Sequence, residues 1–170
     1  VWYNLQLQGV NFIVPGLIAI IMMTIAATLT SGTIAREWER NTMEQLLTTP
    51  VTSAEVILGK MIPYFVIGML DMGLAELMGD VLFHVPMRGS LPLLFVMGGW
   101  FMMGALGLGL LISTVARNQM LAHEMAMLAT FLPAFLLSGF SFAIRNMPQA
   151  LQLVTYFVPA KYFIVLVRGI

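Results

Sequence analysis

Residues 12–35 read FIVPGLIAIIMMTIAATLTSGTIA, an apolar run with no charged side chain. A helix needs about 20 apolar residues to cross the hydrocarbon core of a bilayer, and this run supplies them. Two other uncharged runs, Gly89 to Ala116 and Met125 to Ile144, meet the same requirement. A fourth stretch, Val56 to Phe83, is long enough but carries Lys60, Asp71, Glu76 and Asp80, so its face must be shared with protein or water. The sequence therefore predicts an all-α, polytopic transmembrane helical bundle.

Composition agrees. Of 170 residues, 59% are hydrophobic and 9% charged, with a mean hydropathy of +0.91, against roughly 45–50% apolar and about 25% charged in soluble domains. Eight basic residues balance eight acidic ones. That balance gives no electrostatic footprint for nucleic acid. Cysteine is absent, which excludes a disulfide framework, a thiolate metal site and a thiol nucleophile. The chain begins with Val1, and no charged segment precedes the first apolar run, so a cleaved signal peptide is not indicated. The expectation is a piece of a longer chain, with further helices at both ends.

Along the chain, residues 1–11 form a polar and aromatic approach, with Trp2 and Tyr3 suited to a membrane interface. The first span, 12–35, has Pro15 in its opening turn, where a missing amide is tolerated. Its small residues recur as Ala27, Ser31, Ala35 and as Thr24, Thr28, Gly32, spacings that let another helix approach closely. Residues 36–55 connect it to the second span, 56–83. Residues 36–60 hold Arg36, Glu37, Glu39, Arg40, Glu44, Glu55 and Lys60, seven of the sixteen charges. Asn41 with Glu44, or Thr42 with Gln45, reads as a capping box opening a short amphipathic helix that Pro50 ends; Thr52 with Glu55 reads as a second box starting the next long helix near Ser53.

A turn at 84–90 leads to the span 91–114, with an Ala105, Gly109, Ser113 packing stripe. A turn at 115–119 reverses the chain into the span 120–140, so that the two helices form an antiparallel hairpin. Residues 141–170 break into two apolar pieces too short to cross, around Pro148 and Pro159, and read as a re-entrant helical hairpin. Lys and Arg fall four on each side of this layout, so charge does not orient it.

Catalytic motifs are incomplete. Gly59-Lys60 is followed by Met61 rather than the Ser or Thr of a phosphate-binding loop, and His123-Glu124 lacks the second histidine, at Met127, that a zinc-protease helix requires. Asp71, Glu76 and Asp80 are candidates for a polar pathway lining, although Asp80 also suits a hydrated helix end. The fifteen methionines are scattered, as adaptable packing would have them.

The stretch REWERNTMEQLLTTPVTSAEVILGK, residues 36–60, resembles the cytoplasmic connection of type-2 ATP-binding-cassette (ABC) exporter permeases, in the multidrug-efflux-like branch. Thr42, Glu44, Leu46, Leu47, Pro50, Gly59 and Lys60 stand where that pattern has them. Asn41 departs from it, since glycine is common there. FIVPG at 12–16, STVARN at 113–118, MPQALQ at 147–152 and VPAKYFIVLVRGI at 158–170 extend the similarity over nearly the whole chain.

The resemblance implies a multi-pass subunit of the inner (plasma) membrane. Its coupling helix, served by Arg36, Glu37, Glu39, Arg40, Thr42, Glu44, Leu46, Leu47 and Pro50, would dock on a separate ABC ATPase subunit that carries the ATP–Mg. This chain would bind no cofactor or metal and catalyse nothing. It would pair with a second permease subunit, identical or not, within membrane lipid. A passive channel or membrane scaffold without an ATPase is the alternative.

Overall fold

The computed structural model describes residues 5–83 and 90–137, together with Thr155, Tyr162 and Ile164. Every element among them is an α-helix: α1 (Leu5–Glu39), α2 (Met43–Leu47), α3 (Ser53–Phe83), α4 (Leu91–Ala116) and α5 (Gln119–Leu137). Among the described residues, three stretches are long and apolar enough to cross a membrane: Gly16–Glu39, Ser53–Met78 and Pro92–Ala116. The span expected at 120–140 corresponds to α5, which is described only as far as Leu137 and carries Gln119, His123 and Glu124 in its first two turns. The re-entrant hairpin expected over 141–170 lies outside the described residues, apart from the three single positions.

The bundle is built around α1. Its small residues are why: Ala19, Ala27, Ser31 and Ala35 are fully buried, so neighbouring backbones come close. On α4, Ala105 and Ser113 are equally buried. Between them, a Cβ on Gly109 would overlap the Ala27 carbonyl and the Thr30 hydroxyl. Gly109 and Ser113 of the α4 stripe thus meet the Ala27 and Ala35 side of α1, whereas Gly32 of the other α1 series lies under the His123 ring of α5. As a result α4 and α5 each pack more extensively on α1 than on one another, and the hairpin they form is wedged open by α1. Ile20, Met23, Met72, Met102 and Leu106 fill the larger gaps of the same core.

Hydroxyls stitch this seam. Thr30 Oγ1 donates across to the Leu106 carbonyl at 3.0 Å. Ser113 Oγ accepts from the backbone amides of Ile34 and Ala35, both at 2.9 Å. Ser31 Oγ lies 2.9 Å from Nδ1 of His123 on α5, and the same ring closes over Gly32, where a Cβ would come within 2.9 Å of it. With no competing water in a bilayer core, such bonds must be made within the protein.

Two local expectations are corrected. Helix α1 begins by Leu5, so Pro15 lies well inside the helix rather than in its first turn. Neither capping box proposed for α2 forms: Thr42 is its N-cap but is helical in backbone angle and makes no side-chain cap bond. Those residues instead end α1. Asn41 sits at φ 56°; its amide donates to the Trp38 carbonyl at 3.2 Å, and the Thr42 amide donates to the Glu37 carbonyl at 3.0 Å. That pair of bonds around a left-handed residue is a Schellman C-cap. It explains why the resemblance leads one to expect glycine at position 41. Asparagine is among the few side chains that tolerate this conformation.

Candidate functional site

The last polar turn of α1, residues 36–39, extends beyond the apolar run that ends at Ala35. Successive helix positions differ by about 100°, so Glu37, Trp38 and Glu39 point in three directions. Between them they reach α2, α3 and the turn between α4 and α5.

Glu37 joins α1 to α2 and α3. Its Oε1 is 3.1 Å from the Lys60 ammonium on α3, and its Oε2 accepts from the Thr42 hydroxyl at the start of α2. Lys60 also donates to the Thr33 carbonyl at 3.2 Å. The Thr42 hydroxyl and then the Lys60 ammonium hold the Glu37 carboxyl below its usual range. Both partners are partly exposed, so the ion pair itself contributes at most about 1 kcal/mol. Its importance lies in which elements it connects.

Trp38 and Glu39 join α1 to the α4/α5 turn. The Arg117 guanidinium lies 4.6 Å from the Trp38 ring centroid, a cation–π distance. Arg117 occupies a left-handed conformation, φ 50°, that ends α4. Glu39 Oε2 accepts from the Gln119 amide at 3.1 Å, and Asn118 Oδ1 accepts from the Leu121 amide at 3.0 Å. Two orphan amides at the start of α5 are thereby satisfied.

Helix α2 itself has no buried residue. Glu44 is exposed and Leu46 half-buried, and Leu47 presents a side chain that is 69% exposed. The Thr48 and Thr49 hydroxyls tie back to the Gln45 and Leu46 carbonyls at 2.7 and 2.6 Å before exposed Pro50 redirects the chain. On the far side of Pro50 the second capping box forms as expected. Glu55 Oε2 accepts from the Thr52 amide (2.7 Å) and hydroxyl (2.8 Å), bonds that lower the Glu55 pKa. The result is a small exposed helix fixed at both ends, by Glu37 through Thr42 and by the capped start of α3.

The remaining candidates separate. Arg36 and Arg40 are exposed. Asp71 lies on the outward face of α3 and Glu76 is half-buried; among the described residues neither is paired, and the side chain of Asp80 lies outside them. His123, read from sequence only as part of a polar helix start, proves to be a link between α5 and Ser31. A Ser on one helix and a His on another, 92 residues apart, leave no spacing signal by which to find such a pair.

The family model of the ABC-2 type transporter matches residues 1–170. The probable multidrug ABC transporter permease YbhS of Escherichia coli K12 is 49% identical over 96% of this chain and 43% of its own length. A second E. coli K12 protein of that description, YbhR, is 33% identical over 95% of this chain and 44% of its own. The inner membrane transport permease YhhJ of the same strain is 30% identical over 91% of this chain and 42% of its own. The chain thus spans less than half the length of these relatives. No solved structure matches it.

Proposed function

Because the chain belongs to the ABC-2 type transporter family, we propose that it is part of the membrane-spanning permease of an exporter, and that α2 is the cytoplasmic element on which a separate ATPase subunit pushes. The observation that carries this reading is α2 itself: a short exposed helix, without buried residues, tied through Thr42 and Glu37 to α1 and through Lys60 to α3. Force delivered to an isolated loop would be lost in the loop. Delivered here, it reaches two long helices at once, and the contacts of Trp38 and Glu39 extend it to the α4/α5 turn.

In this reading the protein resides in the inner membrane as a multi-pass subunit, as the names of its relatives suggest. ATP and its magnesium stay on the ATPase, and a second permease subunit completes the path. The two short helices expected over 141–170 belong to the same picture. The substrate class is a hydrophobic or amphipathic molecule, consistent with a methionine-rich, weakly charged interior.

The test is reconstitution with the candidate ATPase in lipid. Leu47→Ala and Glu44→Ala should insert normally yet separate ATP hydrolysis from transport. Transport at wild-type rate in both variants would overturn the assignment of α2.

A further inference from the structure

Between the end of α1 and the first turns of α3 lies a cleft of about 250 Å³, lined by Arg36, Glu37, Gly59, Lys60, Pro63 and Tyr64. It sits where the uncharged run of α1 gives way to charge, at the level of the membrane–water boundary. Its charges do not cancel. Lys60 offsets Glu37, and of its three N–H donors two serve Glu37 and the Thr33 carbonyl, leaving one. The guanidinium of Arg36 is exposed, with no hydrogen bond or ion pair among the described residues.

The other walls are open and apolar. A Cβ on Gly59 would meet nothing within 4 Å. Pro63 has no amide to offer the Gly59 carbonyl one turn earlier. Tyr64 is half-buried, with the amphipathic ring that suits the headgroup layer. From the cleft, Gly59, Pro63, Val66 and Leu70 follow one face of α3 at i, i+4, i+7 and i+11, and Val66 and Leu70 are exposed. A volume below the roughly 300 Å³ of the smaller ligand pockets suits a headgroup rather than a whole amphiphile.

We propose that this cleft binds the headgroup of a membrane phospholipid. The planar guanidinium of Arg36 and the remaining donor of Lys60 take the phosphate oxygens, a pairing strengthened by charge and by the low dielectric of the boundary. Pro63 and Tyr64 flank the glycerol, and the acyl chains lie along Val66 and Leu70. Lipid then becomes a partner of the junction that carries α2, whatever drives that junction.

Native mass spectrometry of the detergent-purified protein, with phosphatidylglycerol added back, tests this. Arg36→Gln removes the free cation, and Gly59→Leu, whose Cβ meets nothing within 4 Å, puts a side chain into the cleft; each should weaken binding about tenfold, the scale of one lost charge-assisted contact. Gly104→Leu, on an equally open position of α4, should bind as the unaltered protein does. Undiminished binding in both cleft variants overturns the proposal. So does an equal loss in Gly104→Leu, which would mean a diffuse lipid annulus, or inorganic phosphate binding as tightly as the lipid.

Discussion

Gly109 sets the distance between α1 and α4, because no atom fits between its Cα and the Ala27 backbone. The obstacle is a carbonyl rather than the flexible end of a side chain, so Gly109→Ala must push the helices apart. We expect a loss near the upper end of overpacking costs, about 3 kcal/mol, visible as earlier thermal aggregation of the purified protein. Gly107→Ala, two residues away in open space, should be neutral or slightly stabilising on helix propensity. The spacing of Ala105, Gly109 and Ser113 made the stripe legible in sequence; which of the three tolerates nothing larger required the partner backbone. Asn41 gives the converse case. Its left-handed backbone costs a β-branched residue about 1–2 kcal/mol, so Asn41→Val should destabilise the α1/α2 junction and Asn41→Gly should not, a contrast readable in amide exchange of residues 40–47.

Among the elements, the two capping signals had the same form and different outcomes. Thr52 and Glu55 close on each other because Pro50 leaves α3 a clean start. Thr42 follows the Schellman turn of α1 too closely, and its hydroxyl goes to Glu37 instead. Local pattern cannot distinguish these cases, since the competitor is the end of the preceding helix. The long helices were legible from their apolar runs. The linkage of α2, α3 and the α4/α5 turn to one polar turn was not, because Lys60, Arg117 and Gln119 come from distant sequence.

Glu37→Gln should loosen that turn. Losing about 1 kcal/mol corresponds to roughly fivefold faster amide exchange across residues 42–47, with the apolar seam of α1 and α4 unchanged. Because folding holds the Glu37 pKa below its ordinary value of 4.5, its contribution is full above that value. It is lost only as pH falls through the lowered pKa. Equal exchange rates in the variant would show that Thr42 and Lys60 are held by other means.

Over the whole molecule, side chains of two kinds are exposed, and the solvent they meet separates them. Leu47 and Val51 stand on the polar connection, whereas Leu70 is 65% exposed on the outward face of α3. From Lys60 to Leu70 is ten residues, about 15 Å along the helix axis, half the hydrocarbon thickness. Residues 1–170 hold no cysteine, so in a protein with none elsewhere each position is addressable by one substitution. With a membrane-impermeant maleimide, Leu47→Cys and Val51→Cys should react in inside-out vesicles and stay silent in intact cells, while Leu70→Cys stays silent in both. The comparison fixes topology, which the balanced Lys and Arg distribution left open. Labelling of Leu47→Cys from outside intact cells would place α2 on the external face and remove the ATPase from contact with it.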